Sequence, residues 1–353
     1  VTLEGVKHYT NQLNCETLNG TSYHYTYDDL GNITAIKKGT GYGTTTSAYK
    51  SYGYDNKYQL TQETKGTTVN TWEYDDLGNI ESKTTKVNGT ATNAISYTYG
   101  TDSDCGWENL LTKLSFTNYA NNTTTTQTID YDAIGNPITY RGSTLSWYGR
   151  QMKSFAKNGI TSTMTYDADG LRSSKTVAGV KTTYQYVGDK LFYENRGNGD
   201  SFYYFYDSYG KLSAIYHHRN GTKVAYHVLT NSQGDVIALY SWAGALVATY
   251  EYDAWGNCTI VSDTSSTGIA TLNPMRYRGY YYDKDLGLYY LQSRYYDSEI
   301  GRFINADGTL NGNGDITGFN MFAYCSNNPV MFSDPSGNSL IGAILGILVA
   351  VVC

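Results

Sequence analysis

The aspartates of a recurring phrase are the first residues whose type and spacing could do chemistry. Asp28, Asp75, Asp132 and Asp253 each stand second in the phrase Tyr-Asp-x-x-Gly-Asn. Carboxylates suit calcium, a hard cation that needs several oxygen ligands, but each phrase offers only one or two carboxylates. Asp also bonds backbone amides just ahead of it and so forms turns. We therefore expect turn-forming aspartates and no metal site.

Cysteine and histidine do not add a competing site. Five cysteines are widely scattered: Cys15, Cys105, Cys258, Cys325 and Cys353. Without Cys-x-x-Cys spacing they predict neither a zinc site nor a disulfide framework. His217 and His218, adjacent in a Tyr-rich stretch, are expected to form a surface pair. The sequence has no Gly-x-Ser-x-Gly, His-Glu-x-x-His or phosphate-loop pattern, and no cofactor is expected.

The composition predicts a β protein that does not bind nucleic acid. Of 353 residues, 38 are Tyr and 37 are Gly, and only 16% are charged. Tyr and Thr favour strands, and Gly supplies the turns between them. The net charge is −6 and no cluster of Lys or Arg is present. A phosphate backbone needs a basic patch, so nucleic acid is not an expected partner.

The phrase is an internal repeat that predicts tandem β-hairpins. Asp begins a turn and Gly accepts a left-handed backbone, so Tyr closes one strand and Asn opens the next. Looser copies stand at Tyr166-Asp167-Ala168-Asp169-Gly170 and Tyr206-Asp207-Ser208-Tyr209-Gly210, and a half-copy at Tyr54-Asp55-Asn56-Lys57. With the looser copies included and the half-copy left out, successive copies lie 35 to 57 residues apart, which suits multiples of a hairpin unit of roughly 20 residues and not the steady period of a propeller. The strong copies are Tyr27-Asp28-Asp29-Leu30-Gly31-Asn32, Tyr74-Asp75-Asp76-Leu77-Gly78-Asn79, Tyr131-Asp132-Ala133-Ile134-Gly135-Asn136 and Tyr252-Asp253-Ala254-Trp255-Gly256-Asn257.

These repeats resemble the YD repeats of RHS proteins, bacterial wall-associated repeat proteins and teneurins. The resemblance implies an all-β fold in which tandem hairpins coil into a spiral sheet that forms part of a hollow shell. Further along, the chain resembles the RHS repeat-associated core. Its anchors, in chain order, are Arg278-Gly279-Tyr280, Leu286-Gly287-Leu288-Tyr289-Tyr290, Arg294-Tyr295-Tyr296-Asp297, Gly301-Arg302-Phe303-Ile304, Gly318-Phe319-Asn320, Tyr324, Asn327-Asn328-Pro329 and Asp334-Pro335-Ser336-Gly337.

The resemblance divides the chain into repeats at 1–270, the core at 271–337 and the start of a variable tip at 338–353. In bacterial members the core closes the shell and precedes a toxin held inside it, for which an immunity protein is a further partner. A secreted or cell-surface location is therefore expected. The chain shows no signal peptide and does not begin with Met, and we expect it to be a piece of a longer protein.

The resemblance also implies one reaction, because RHS cores of bacterial toxins cut themselves just after Asp-Pro-x-Gly with paired aspartates. Asp334 matches that motif, and Asp307 matches the aspartate that follows Gly-Arg-Phe. Two carboxylates about 3 Å apart cannot both ionise, so one would hold a proton while the other activates water. Arg302 could hold the strand or polarise the scissile carbonyl. The expected cleavage region is Gly337, Asn338, Ser339 and Leu340.

A plainer interpretation of the two aspartates is that they form turns beside Pro335 and Gly308. Gly308 stands where the family usually has Pro, and the Leu that normally follows Gly is displaced to Leu340. Two further alternatives stay open. The Tyr-rich surface could bind a carbohydrate or a cell-surface receptor, as an adhesin would. The apolar run 340–352, with 13 residues, is shorter than the roughly 18 that span a bilayer; a helix, a membrane-active segment and a packed apolar piece are all possible.

Overall fold

The computed structural model describes residues 12–41, 46–100, 107–308 and 320–338, together with the backbone of residues 2–3, 6–7 and 341–342. Most of the expected apolar tip, and Ser339 and Leu340 of the expected cleavage region, lie outside the described residues. Two short strands, β1 (Thr2–Leu3) and β2 (Val6–Lys7), pair with each other.

Nearly all the remaining repeat region is one antiparallel sheet, in which each strand pairs with the next along the chain. Its first strands are β3 (Cys15–Leu18), β4 (Thr21–Tyr27), β5 (Ile33–Gly39), β6 (Ser47–Tyr54), β7 (Leu60–Lys65), β8 (Thr68–Tyr74), β9 (Ile80–Val87), β10 (Thr90–Tyr99), β11 (Leu111–Asn118), β12 (Thr123–Tyr131), β13 (Pro137–Tyr140) and β14 (Ser143–Tyr148). They continue as β15 (Gln151–Lys157), β16 (Ile160–Tyr166), β17 (Arg172–Val177), β18 (Val180–Val187), β19 (Lys190–Asn195), β20 (Asp200–Tyr206), β21 (Leu212–Arg219), β22 (Thr222–Thr230), β23 (Val236–Ser241), β24 (Leu246–Tyr252) and β25 (Cys258–Asp263).

The turns of the repeat phrase all lie at one edge of this sheet, which we call the YD edge. In the turn after β8, the Asp75 carboxylate accepts from the amides of Leu77 (2.9 Å) and Asn79 (2.8 Å) and from the Asn79 side chain (2.8 Å). Gly78 has a φ of 74°, a left-handed conformation that favours glycine. The carboxylate oxygens of the repeat aspartates therefore accept hydrogen bonds within the turns, as the phrase predicts.

The opposite edge is formed by tighter hairpin turns. At Asn88-Gly89, and again at Asn158-Gly159, both central residues have positive φ. Two-residue turns of this kind match the right-handed twist of paired strands. Because strands alternate in direction, YD turns and Asn-Gly turns fall on opposite edges, and the repeat phrase marks one edge only.

The tyrosine of the phrase ties each hairpin to the one before it. The Tyr54 hydroxyl donates to the carbonyl of Ile33 (2.8 Å), and Tyr74 donates to Leu60 in the same way (2.6 Å). In both cases the acceptor directly follows the preceding YD turn. Burial raises the pKa of the Tyr54 hydroxyl, so it stays protonated and remains a donor at neutral pH. This recurring bond explains why the phrase uses Tyr rather than Phe.

The sheet winds past its own beginning as a spiral, as expected. No ladder joins β25 to β3 among the described strands; side chains on the inner face of the first strands meet the last strands instead. Glu16 of β3 accepts from the amide of Ser232 (2.9 Å), and Lys65 of β7 pairs with Glu251 of β24 (2.5 Å). Strands β3–β7 therefore lie over the outer face of the last strands, and we call this contact the overlap.

The described residues that follow β25 pack against the inner face of the sheet and its YD turns. They form helix α1 (Ile269–Leu272), 3-10 turns at Tyr277–Gly279 and Cys325–Asn327, and short strands. These strands are β26 (Tyr281–Asp283), β27 (Leu288–Leu291), β28 (Arg294–Asp297), β29 (Arg302–Phe303), β30 (Phe332–Ser333) and β31 (Ile341–Gly342). The rings of Tyr289, Tyr296 and Tyr324 are fully buried among them. No helix in the described part is long and apolar enough to cross a membrane.

One expectation about the repeats is wrong. His217 is not on the surface but on the inner face of β21, where only 1% of it is exposed. Its ring stacks on Phe202 (4.5 Å between centroids), and Nε2 lies 2.9 Å from the Asp200 carboxylate. His217 lies two residues after buried Ile215, and side chains two apart share a face of a strand.

Candidate functional site

The folded residues after β25, 269–308 and 320–338, lie across the YD edge and bind its turns through asparagine side chains. The Asn327 side chain donates to Gln59 (2.8 Å) and to the carbonyl of Gly78 (2.7 Å). Asn320 bonds the side chain of Asn79 (2.9 Å), and Asn328 bonds that of Asn32 (2.9 Å). Three successive YD turns are thus held by one segment of this core.

The core reaches the other side of the ring as well. The amide of Ala306 donates to Gly135 (3.1 Å), and the Gln292 side chain donates to the carbonyl of Asp189 (2.9 Å). The Tyr289 hydroxyl donates to Gly256 (2.9 Å). Gly256 also has no room for a side chain, because an added Cβ would lie 2.5 Å from the Tyr277 ring. Residues 269–308 and 320–338 of the core therefore cover the YD edge of the spiral, and we call them the lid.

A buried ion cluster fastens this lid to the sheet. Asp283 at the end of β26 contacts Arg172 (2.7 Å) and Lys175 (2.5 Å) on β17, and the three side chains are at most 6% exposed. Burial by itself would raise the pKa of Asp283, but Lys175 and Arg172 outweigh burial and hold that pKa below its ordinary value. The carboxylate stays ionised and compensates two buried cations, which would otherwise be costly.

The two aspartates predicted to be catalytic are brought together by an arginine. Arg294 Nη2 lies 3.0 Å from Asp307 Oδ2 and 3.2 Å from Asp334 Oδ2. All three side chains are at most 9% exposed, and the guanidinium stacks 3.6 Å from the centroid of the Phe303 ring. Burial lowers the pKa of Arg294, although both carboxylates oppose that effect; an arginine stays protonated nonetheless.

The same arginine holds the first carbonyl of the expected cleavage region. Arg294 Nε donates to the carbonyl oxygen of Gly337, and Nη1 donates to Met321 (3.1 Å). Ser293 anchors the preceding residue, because its hydroxyl donates to the carbonyl of Ser336 (2.7 Å). Gly337 has a φ of 75°, and an added Cβ would lie 2.6 Å from the carbonyl oxygen of Leu291. Two carboxylates, a cation and a fixed peptide carbonyl thus converge here.

Solvent can approach this peptide from one side. A cavity of about 240 Å³ lies beside it, with Arg150, Tyr166, Ser293, Ser336 and Asn338 among its walls. Asn338 is exposed, so the Gly337–Asn338 bond runs from the buried cluster to the surface.

Of the two roles expected for Arg302, its contacts fit holding the strand and not polarising the scissile carbonyl. Its guanidinium donates to the Tyr99 hydroxyl (2.8 Å) and to the carbonyl of Asn109 (2.9 Å). Neighbouring residues of a strand point to opposite faces, and Phe303, the next residue, faces Arg294. The structure therefore places Arg294, rather than Arg302, against the two carboxylates. Arg294 opens the anchor Arg294-Tyr295-Tyr296-Asp297, which was the signal available in the sequence.

Comparison with known proteins gives a consistent set of relatives. The Teneurin YD-shell family model matches residues 198–330. The tRNA3(Ser)-specific nuclease WapA of Bacillus spizizenii is 38% identical over 219 residues, which cover 60% of this chain and 9% of the relative. The Double-stranded DNA deaminase toxin A of Burkholderia cenocepacia is 35% identical over 132 residues, 37% of this chain and 8% of the relative. The chain thus spans about a tenth of the length of these relatives.

Among solved structures, the crystal structure of TcdB2-TccC3-Cdc42 shares the fold. It superposes with a TM-score of 0.59 at 20% sequence identity, over 92% of this chain and 19% of the matched chain. At this low identity, the agreement over nearly the whole chain means that the backbones of the two proteins follow a similar path. It supports the spiral arrangement and says nothing of chemistry.

Proposed function

The chain belongs to the RHS/YD-repeat family, and from this premise we propose that it forms the C-terminal part of a shell that encloses and delivers a toxin following it in a longer polypeptide. The observation that carries the proposal is the lid: core residues bind YD turns on both sides of the ring. A lid bonded at one edge gives the spiral a closed end, which a container requires and an open β-solenoid lacks.

The partners of such a shell follow from its role. The enclosed partner is the polypeptide that continues past Cys353, and a cell that makes the toxin needs an immunity protein to neutralise it. The similar protein of Burkholderia cenocepacia is named as a toxin, Double-stranded DNA deaminase toxin A. A toxin that acts on other cells must leave its producer, so we propose that the protein is secreted or displayed at the bacterial surface.

Protease protection tests the enclosure directly. The longer polypeptide is made with an epitope at its C-terminus and treated with a nonspecific protease, beside the same C-terminal segment produced alone. We expect the epitope to survive in the shell-bearing protein and to be lost from the free segment. An Asp283→Ala variant, which loosens the lid, should lose the epitope at an intermediate rate. Equal loss from the complete protein and the free segment would refute enclosure.

A second function, self-cleavage after Gly337, is favoured by Arg294, which contacts both Asp307 and Asp334 and also donates to the Gly337 carbonyl. Water would attack the carbonyl carbon while one carboxylate accepts its proton, and Arg294 would stabilise the negative oxygen. The C–N bond to Asn338 then breaks, and the nitrogen leaves as an amine after taking up a proton. The products are a new carboxyl terminus and a new amino terminus.

Asp334→Asn and Asp307→Asn variants of the longer polypeptide test this reaction. Both amides keep the size of the side chain but cannot take the proton from water, so we expect the polypeptide to stay in one piece while the wild type is cut. Mass spectrometry locates the new terminus in residues 337–340. The control is Asp297→Asn, a buried carboxylate paired with Arg141 (2.6 Å), which should still be cut. An uncut wild type would refute self-cleavage.

A further inference from the structure

A cavity lies between the two layers of the overlap. Its volume is about 230 Å³, close to the lower end of the roughly 300–1,000 Å³ that small-molecule sites enclose. Strands β3–β6 line one side of it, and β22–β25 line the other. The lining reaches from Asn19, in the turn between β3 and β4, to Asp253, in the YD turn after β24. The cavity therefore runs along the strands, and a molecule bound in it would contact both layers.

Lys38 of β5 lines this cavity, and no carboxylate of the described residues pairs with it. Its Nζ lies 3.6 Å from the centroid of the Tyr49 ring, and the Tyr23 ring meets that of Tyr49 edge to face at 6.0 Å. All three side chains are half-buried, so a ligand can reach them from solvent. Burial and two neighbouring lysines lower the pKa of Lys38, although Glu251 opposes them. The ammonium group is thus held over aromatic rings without a counterion of its own.

The carboxylates that line the cavity are already bound within the protein. Glu251 pairs with Lys65 (2.5 Å) and accepts from the Tyr49 hydroxyl (3.3 Å). Glu16 accepts from the amide of Ser232 (2.9 Å). The other two, Asp235 and Asp253, accept hydrogen bonds within their own turns. Because these oxygens are engaged, the cavity does not favour a bound cation.

The groups left to bind a ligand are hydrogen-bond donors. The other cations of the lining, Lys50 and Arg278, contact carboxylates. The hydroxyls of Tyr23 and Tyr52 have no hydrogen-bond partner in the part of the chain that the structure describes. A ligand that satisfies these hydroxyls and Lys38 must supply acceptor oxygens, and the charge of Lys38 favours an anion.

The rest of the lining includes apolar residues from both layers. The first strands contribute Leu18 and Ile36, and the last strands contribute Leu229, Ala238 and Val261. Apolar walls with a few placed polar groups are the usual composition of a small-molecule site. A ligand that is apolar apart from its charged end would lose contact with water along these walls.

We propose that the overlap cavity binds a small organic carboxylate with an apolar body. The carboxylate lies beside Lys38, and the body lies between the two layers. Such a ligand stabilises the overlap, because a molecule that binds only the folded protein shifts the unfolding equilibrium. The site involves neither an enclosed toxin nor cleavage after Gly337, so it can fail while the shell role stands.

Titration calorimetry of the 353-residue chain with octanoate tests the site, at concentrations below those at which octanoate forms micelles. We expect saturable binding with one octanoate per chain. Octanamide has the same body without the charge, and inorganic phosphate has charge without the body. Each should bind at least about ten-fold more weakly, the usual worth of a hydrogen bond to a charged group. No saturable binding of octanoate, or equal affinity for either control molecule, would overturn the proposal.

Two lysine variants locate the bound carboxylate. Lys38→Gln should weaken octanoate binding about ten-fold, because it removes the charge but keeps a hydrogen-bond donor. Lys37→Gln is the matched control, since Lys37 is exposed on the opposite face of the same strand, and it should bind as the wild type does. An unchanged affinity of the Lys38→Gln variant would contradict the site.

Chemical labelling gives a measurement on the wild type alone. Acetylation of lysines by succinimidyl acetate is followed by mass spectrometry with and without octanoate. We expect octanoate to slow the labelling of Lys38 several-fold and to leave that of Lys37 unchanged. Labelling of Lys38 at the same rate in both samples would overturn the proposal, even if octanoate binds elsewhere on the protein.

Discussion

Replacing Asp283 by alanine is expected to lower the free energy of unfolding by about 3–5 kcal/mol, the usual cost of removing one partner from a buried ion pair. Arg172 would be left as a buried cation without the Asp283 carboxylate, and Lys175 would keep only Asp285 (2.6 Å), whose side chain is one-third exposed. The loss falls on the contact between β26 and β17, that is, between lid and sheet. Urea unfolding followed by tyrosine and tryptophan fluorescence measures it. Asp76→Ala, which breaks a solvent-exposed pair with Lys57 at 3.4 Å, is the control and should change stability little.

The pH dependence of this effect has a definite sign. The pKa of Asp283 is held below its ordinary value, so its contribution to stability is fully present above the pKa of an unfolded Asp, about 3.9. It is lost as the pH falls through the lowered pKa of the folded state. The wild type and the Asp283→Ala variant should therefore differ most at neutral pH and converge in acid. A difference that grows as the pH falls would contradict this account of the cluster.

Replacing Arg294 by methionine is expected to have a similar cost, about 3–5 kcal/mol, for the opposite reason. Methionine fills much of the volume over the Phe303 ring but leaves the carboxylates of Asp307 and Asp334 without the cation that both contact. It also removes the donor to Gly337, so the start of the tip should become more sensitive to protease. Unfolding in urea measures the first effect and limited proteolysis the second.

A double-mutant cycle separates the charge from the packing. In an Asp307→Asn, Asp334→Asn background there are no carboxylates to compensate, so Arg294→Met should cost less than it does in the wild type. Groups in one network couple by about 0.5–3 kcal/mol, whereas independent sites add. Strictly additive costs would show that Arg294 acts through packing against Phe303 alone, and the electrostatic account of the site would fail.

The local parts of the fold follow from sequence because their chemistry is local. Asp75 bonds amides two and four residues ahead, and Gly78 supplies the positive φ, so a six-residue phrase contains the whole turn. The role of Tyr is visible only in the structure. The Tyr54 hydroxyl donates to the carbonyl of Ile33, 21 residues away. The spacing of residues within the phrase does not indicate that partner.

The assembly of the site depends on contacts that sequence cannot order. Asn327 reaches Gln59 across 268 residues and Asn320 reaches Asn79 across 241, so the lid is a product of how the spiral closes. Arg294 and Arg302 both stand in recognisable anchors, and only the register of β28 and β29 decides which one faces the aspartates. The proximity of Asp307 and Asp334 was predictable from the resemblance. The identity of the arginine that contacts both carboxylates was not.

The central claim is that the core closes the YD edge, and short-range cross-linking tests it most directly. In a variant whose natural cysteines are replaced by serine, cysteines are placed at Gln292 on the core and at Asp189 on the YD edge, where the Gln292 side chain meets the Asp189 carbonyl at 2.9 Å. The control pairs Gln292→Cys with Ala178→Cys at the other end of β18, roughly 25 Å away along an eight-residue strand. A short bis-maleimide should join 292 to 189 and leave 292 and 178 unlinked. Linkage of 292 to 178, or none to 189, would contradict the lid.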